Sequence, residues 1–209
     1  MMLVVLALAV LQGPPTYLRG SPAETSRKPQ LAPVVSPTAA APLTAFRDLP
    51  NVAVTYYDVT GRTVPEIHTS LTGAAPHDPD SRKPIPATSS WSIGATVRWS
   101  KTGARCTITG VTLKFTATAS LPRLVVLEET PAPVLAAWNR YVAQLEARQA
   151  AQLKFAYDRR DEVERAILAS SCDSWQAAAD AALTRLEEQQ RLARDADPSA
   201  QPKLEQPKN

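Results

Sequence analysis

Between Trp91 and Trp99 the sequence WSIGATVRW sets Trp91, Ile93, Ala95, Val97 and Trp99 at every second position, with Ser92, Thr96 and Arg98 among the residues between. Successive side chains of a strand point to opposite faces, so the alternation predicts a half-buried strand. After SKTGAR, which has the composition of a turn, comes CTITGVTLKFTATASLP. Its apolar parity shifts across Gly110, from Cys106 and Ile108 to Val111, Leu113 and Phe115. One extra residue in a strand produces such a shift, so a bulge is expected at Gly110, and the two strands most simply pair as an antiparallel hairpin. Past Pro131 and Pro133 the period becomes helical: Leu135, Trp138, Val142 and Leu145, continued by Phe155 or Ala156, Val163 and Ile167 to about Ser170. A second helix, capped by Asp173 or Ser174, carries Trp175, Ala179, Leu183 and Leu186 opposite EEQQR, and Pro198 ends it. From Trp91 onward, one switch from period two to period 3.6 segregates strands from helices. The expected fold is α+β: a small antiparallel β-sheet packed against a long helix and a C-terminal helical hairpin.

Upstream, NVAVTYYDVTG (Asn51 to Gly61) has the β-branched and aromatic content of a first strand. A short helix is expected next, with Thr63 as N-cap, Pro65 in the first turn, Glu66 three residues after the cap and Gly73 at the C-cap. APHDPDSRKPIPATSS then reads as a long loop.

The chain has 209 residues, enough for one core of ordinary size. Nineteen prolines against seven glycines, many of the prolines before Pro50 or after Ala196, place long unpatterned ends around a single domain. The resulting division is an apolar leader over 1–12, a disordered Pro/Ala-rich linker over 13–50, a folded α+β domain over 51–195 and a solvated tail over 196–209. The leader, MMLVVLALAVLQ, has the length of a signal-peptide apolar region and is short for a membrane span, although no Lys or Arg precedes it. It predicts export, with a buried or disordered N-terminal end as the alternative. A formal net charge of +3 from scattered basic residues gives no stripe for nucleic acid. Two cysteines, Cys106 and Cys172, lie far apart with no C-x-x-C spacing. In an exported chain they pair as a disulfide joining a strand to the end of the long helix; in a reducing compartment they stay buried thiols.

Candidates for chemistry are few. The only histidines, His68 and His77, stand apart from any Cys, His or carboxylate cluster with metal-ligand spacing, and the i,i+4 histidine pair of a helical zinc site occurs nowhere. Both fit ordinary surface positions. There is no G-x-S-x-G, Walker or dinucleotide fingerprint. YDRRDEVER, Tyr157 to Arg165, mixes an attractive i,i+4 pair, Asp161 with Arg165, and a repulsive one, Asp158 with Glu162, as solvated helix faces do.

Taken in order, YYDVTGRTVPEI, TSSWSIGATVRW, CTITGVTLKF with LP after it, and WNRYVAQLEARQAAQLKFA with Cys172 downstream resemble a bacterial family of secreted domains of unknown function, regarded as zinc-dependent proteases. The resemblance covers about Val52 to Asp195 and implies a zincin-like layout. In that family the stretch matching RQAAQ reads H-E-x-G-H. The first zinc-ligand His therefore falls on Arg148, the general-base Glu on Gln149, the small Gly on Ala151 and the second His on Gln152. All four have changed, and the His-Gly segment near the family's C-terminal end has no counterpart in RDADPSAQPKLEQPKN. A guanidinium offers zinc no lone pair, and an amide takes no proton from water at neutral pH. Zinc, the cofactor implied by the resemblance, is thus not expected at these positions.

The expectation is an exported, non-catalytic relative that binds an unidentified protein or peptide in the cell envelope or outside the cell, tethered to the membrane if the leader is retained. Two other classes stay open: an enzyme, either a secreted peptidase with an unconventional site or one that runs another reaction through His68 or His77 with acidic neighbours, and a module that oligomerises through the helical hairpin.

Overall fold

The computed structural model describes residues 44–78, 82–127, 129–196 and 202–206. The leader and the linker up to residue 43 lie outside that set. The first described element is a 3-10 turn, Thr44–Phe46, whose Phe46 joins Leu49 in the core. The core thus takes in residues ahead of the 51–195 span, and at the other end Leu204 packs against it.

Strand β1, Val52–Thr60, is followed by helix α1, Val64–Ala74. At Gly61 a Cβ would stand 2.6 Å from the backbone nitrogen of Ile67, so only glycine lets the chain turn this tightly into the helix. The expected cap is present. Thr63 Oγ1 accepts from Glu66 N, and the Glu66 carboxylate reaches back to the amide of Arg62, one residue before the cap. That amide bond, the largest cause, holds the Glu66 carboxyl below its usual range. Val64, Ile67 and Leu71 form the buried stripe. The helix ends one residue beyond Gly73, with Ala75 as an extended C-cap that needs no glycine.

Strands β2, Thr88–Thr102, and β3, Arg105–Val125, make the expected hairpin, with Thr102 opposite Arg105 around Gly103 and Ala104. β2 starts three residues ahead of Trp91, inside the stretch read as loop. Arg98 pairs with Gly110 and Trp99 with Ile108, so Thr109 is the extra residue of a bulge beside the glycine that marked it. β1 departs from expectation. It pairs with β3 in parallel, Val52 opposite Ala117 through Thr60 opposite Val125, giving a mixed sheet of order β1-β3-β2. Parallel partners need a long crossover, and α1 with β2 supplies it. Pro122 is tolerated in β3 because it lies beyond Ser120, where pairing with β2 ends.

The helical layer also differs. The single helix expected to reach about Ser170 is two: α2, Ala132–Asp158, and α3, Arg160–Leu168, broken at Arg159. Two guanidiniums fold back over the break, Arg159 over the Phe155 ring at 3.8 Å and Arg160 over the Tyr157 ring at 4.1 Å. The break frees Val163 and Ile167 to pack with helix α4, Trp175–Asp195, whose buried side is Trp175, Ala179, Ala182 and Leu186. In YDRRDEVER, Asp158 pairs with Lys154 and Arg165 donates to the Asp161 carbonyl, so the expected Asp161–Arg165 side-chain attraction is not made. Cys106 and Cys172 are joined, with Cα atoms 6.0 Å apart, fastening the start of β3 to the α3–α4 turn. At a sequence separation of 66 the cross-link contributes about 4 kcal/mol on the chain-entropy estimate.

Candidate functional site

α2 crosses beneath the lead-in to β2, and a cleft of about 510 Å³ opens between them. Its floor comes from Leu145, Arg148, Gln149 and Gln152 of α2, and one wall from Pro84 to Ser89. The wall is held in shape by Ile85 N donating to Pro76 O at 2.7 Å and by Tyr57 of β1, whose hydroxyl donates to Pro86 O at 2.7 Å. Pro84 and Pro86 have no backbone N–H to give, which keeps this lead-in out of the sheet ladder ahead of Thr88.

The four positions singled out in the sequence separate here. Gln149 is sealed: 4% exposed, with Oε1 accepting from Ser89 Oγ at 2.7 Å and Nε2 donating to Ala87 O at 3.2 Å. Both ends of the amide are used to pin α2 to the start of β2. Arg148 and Gln152, one turn apart, are half-buried and face the cleft, and neither side chain has a hydrogen bond or ion pair among the described residues. Ala151 is exposed and lines no part of the cleft. Arg194 of α4 adds a second guanidinium at the rim.

Behind this row, the α2–α4 contact is fixed by Gln190, which donates to the Gln152 carbonyl at 2.7 Å and accepts from Trp91 Nε1 at 2.8 Å. Sequence reading had set Gln190 on the solvated side of its helix and had no signal for Ser89. Both partners lie tens of residues from the groups they hold, beyond the reach of any local spacing rule.

Burial pushes the Tyr141 phenol up to about 12 and raises that of Tyr57, to which Tyr141 adds a smaller push. Burial likewise holds the Glu146 carboxyl above its usual range, on the turn of α2 before Arg148. His68 and His77 are exposed and are not brought into one site: His68 lies on α1 at a neighbouring groove, and His77 is in an isolated bridge with Pro84. No group of three or more His, Cys, Asp or Glu side chains able to hold a metal occurs among the described residues. The donor set at 148, 149 and 152, a fixed cation and two amides of which one is already engaged at both ends, does not fit zinc.

Residues 54–197 match the family described as bacterial protein of unknown function (DUF922). The chain belongs to the DUF922 family. No curated protein and no solved structure matches it. The DUF922 match runs from β1 through the end of α4, so the cleft floor, the Pro84–Ser89 wall and the disulfide all fall inside it. Phe46, Leu49 and the 202–206 segment fall outside the DUF922 boundaries although they complete the same core.

Proposed function

We propose that this DUF922 domain is a non-catalytic binding module that works outside the cytoplasm and retains an extended polypeptide along the α2–β2 cleft. The observation that carries the reading is the sealed Gln149. The position where a zinc peptidase of this layout would need a solvated carboxylate is instead a saturated amide serving as a structural tie. What faces the cleft is recognition chemistry. A planar guanidinium at Arg148, free of partners among the described residues, suits a carboxylate, and Gln152 offers both a donor and an acceptor. β2 is an edge strand in the order β1-β3-β2, so its outer backbone groups are available for strand addition.

The extracytoplasmic setting is supported by the Cys106–Cys172 bridge, since such bonds persist in oxidising compartments. None of the described helices is long and apolar enough to cross a membrane. In this reading the apolar stretch over 1–12 serves as the tether.

Selection of displayed random peptides on the immobilised full chain tests the reading. Enrichment of peptides whose binding is lost with Arg148→Glu and weakened with Gln152→Ala is the expected result. Absence of enrichment, or enriched peptides indifferent to both changes, would sink it. Metal analysis decides the enzymatic alternative: near-stoichiometric zinc that disappears on replacing His68 or His77 would overturn a non-catalytic role.

A further inference from the structure

Beside the cleft lies a second groove of about 480 Å³, and the two share Pro84, Pro86 and Pro202. The second groove is formed by His68, Leu71 and Thr72 of α1, by Tyr141 of α2 and by the prolines of the β2 lead-in. Its remaining side comes from Pro202, Lys203 and Leu204 of the chain's own segment 202–206. That segment has no helical or ladder structure, and its burial alternates: Pro202 and Leu204 are half-buried while Lys203 and Glu205 are exposed. Leu204 packs against the core. A period-two alternation is how an extended peptide presents itself to a groove, with every second residue anchored. Composition alone gives no reason for such a hydrophilic segment to hold to the domain, so the contact rests on complementarity at two side chains.

We propose that residues 202–206 are a built-in ligand of this groove, and that the groove takes extended segments carrying a proline and an aliphatic residue two positions apart. This deepens the function proposed above by naming a ligand class, and it rests on that reading only in assigning outside partners to the same surface. The tail is then a competitive strap. Tethered to the end of α4, it has an effective concentration on the order of millimolar, so a tail whose own intrinsic Kd is about 0.1 mM makes any partner for the same groove bind the intact chain about tenfold more weakly than a chain whose tail has been released.

The test uses the full chain and a fluorescein-labelled peptide, Pro-Lys-Leu-Glu-Gln flanked by glycines. In fluorescence polarisation the Leu204→Asp chain is expected to bind the peptide saturably and the wild type about tenfold more weakly. The same peptide with Asp in place of Leu should bind neither. Hydrogen exchange of α1 and of Ile85 to Ala87 should quicken in Leu204→Asp and stay unchanged in Glu205→Lys, at an exposed position that lines neither groove. Equal binding to both chains, absence of binding to Leu204→Asp, or unchanged exchange overturns the proposal. If displayed peptides still bind through Arg148 while this peptide does not, the strap is refuted and the cleft function stands; the reverse outcome refutes the role of Arg148 alone.

Discussion

Replacing Gln149 by Glu introduces a carboxyl group at the cleft floor and changes little of the side chain's shape. A carboxylate keeps the bond from Ser89 Oγ, now charge-assisted, but has no proton for the Ala87 carbonyl, which Gln149 Nε2 satisfies at 3.2 Å. Two oxygens then face each other out of water. An unpaired buried acceptor costs about 1–3 kcal/mol, before any repulsion. The other route is to keep the Glu protonated, so that its hydroxyl donates to Ala87. From a solution pKa of about 4.3, at about 1.36 kcal/mol per pH unit, that costs about 3.7 kcal/mol at pH 7. The chain follows whichever is cheaper, so Gln149→Glu is expected to lose about 2–4 kcal/mol near neutral pH and less than about 1 kcal/mol near pH 4.5. The introduced carboxyl has a folded-state pKa above its unfolded value. Its contribution is therefore fully present below the unfolded pKa and is lost as pH rises through the folded one. Urea unfolding of wild type and variant at the two pH values, followed by tryptophan fluorescence, measures the difference. A loss below about 0.5 kcal/mol at neutral pH, or the same loss at both pH values, would mean that water reaches position 149 and that the cleft is open to its floor.

Four further outcomes follow from the structure. Changing Cys106 and Cys172 together to Ser should lower stability by about 4 kcal/mol, seen as a shift of the urea midpoint, and wild type in reductant should match the variant. Because burial raises the phenol pKa values of Tyr141 and Tyr57, stability is fully present below the unfolded value of about 10 and is lost above it; in spectrophotometric titration these two of the five tyrosines should ionise only as the chain unfolds. Tyr57→Phe, which leaves the Pro86 carbonyl without its donor, should cost about 1–2 kcal/mol by the same urea assay and loosen the cleft wall. The Arg123–Asp58 pair that bridges β3 and β1 is 44% and 54% exposed, so a double-mutant cycle should return a coupling below about 1 kcal/mol, falling further in salt.

What could be read in advance is what side-chain periodicity encodes. The β2–β3 hairpin was visible because half-burial forces alternation, and the Thr109 bulge because an unpaired residue shifts parity for everything after it. The disulfide was legible as one of two open outcomes for a pair of distant cysteines. Pairing direction left no such mark: β1 has the same composition whether it runs with β3 or against it, and parallel alignment follows from where α1 and β2 return the chain. The break at Arg159 was invisible because no Gly or Pro marks it; arginine–aromatic packing and the tertiary fit of Val163 and Ile167 select it. Gly73 misled for a related reason, since an extended Ala75 closes α1 without a left-handed residue.

The candidate site was half legible. Helical spacing puts 148 and 152 on one side of α2 whatever they are, so their shared cleft follows from the period alone. Whether position 149 meets water does not follow from the period. It depends on Ala87 and Ser89, about sixty residues earlier, and on the prolines that hold their segment against the helix. Once that contact exists, a carboxylate at 149 becomes a liability and an amide the best available occupant, because only an amide of this length gives to a carbonyl and takes from a hydroxyl at once. An amide at 149 and the closing of the site over it therefore support each other. Opening the cleft to water would require moving the Pro84–Ser89 wall as well as replacing Gln149.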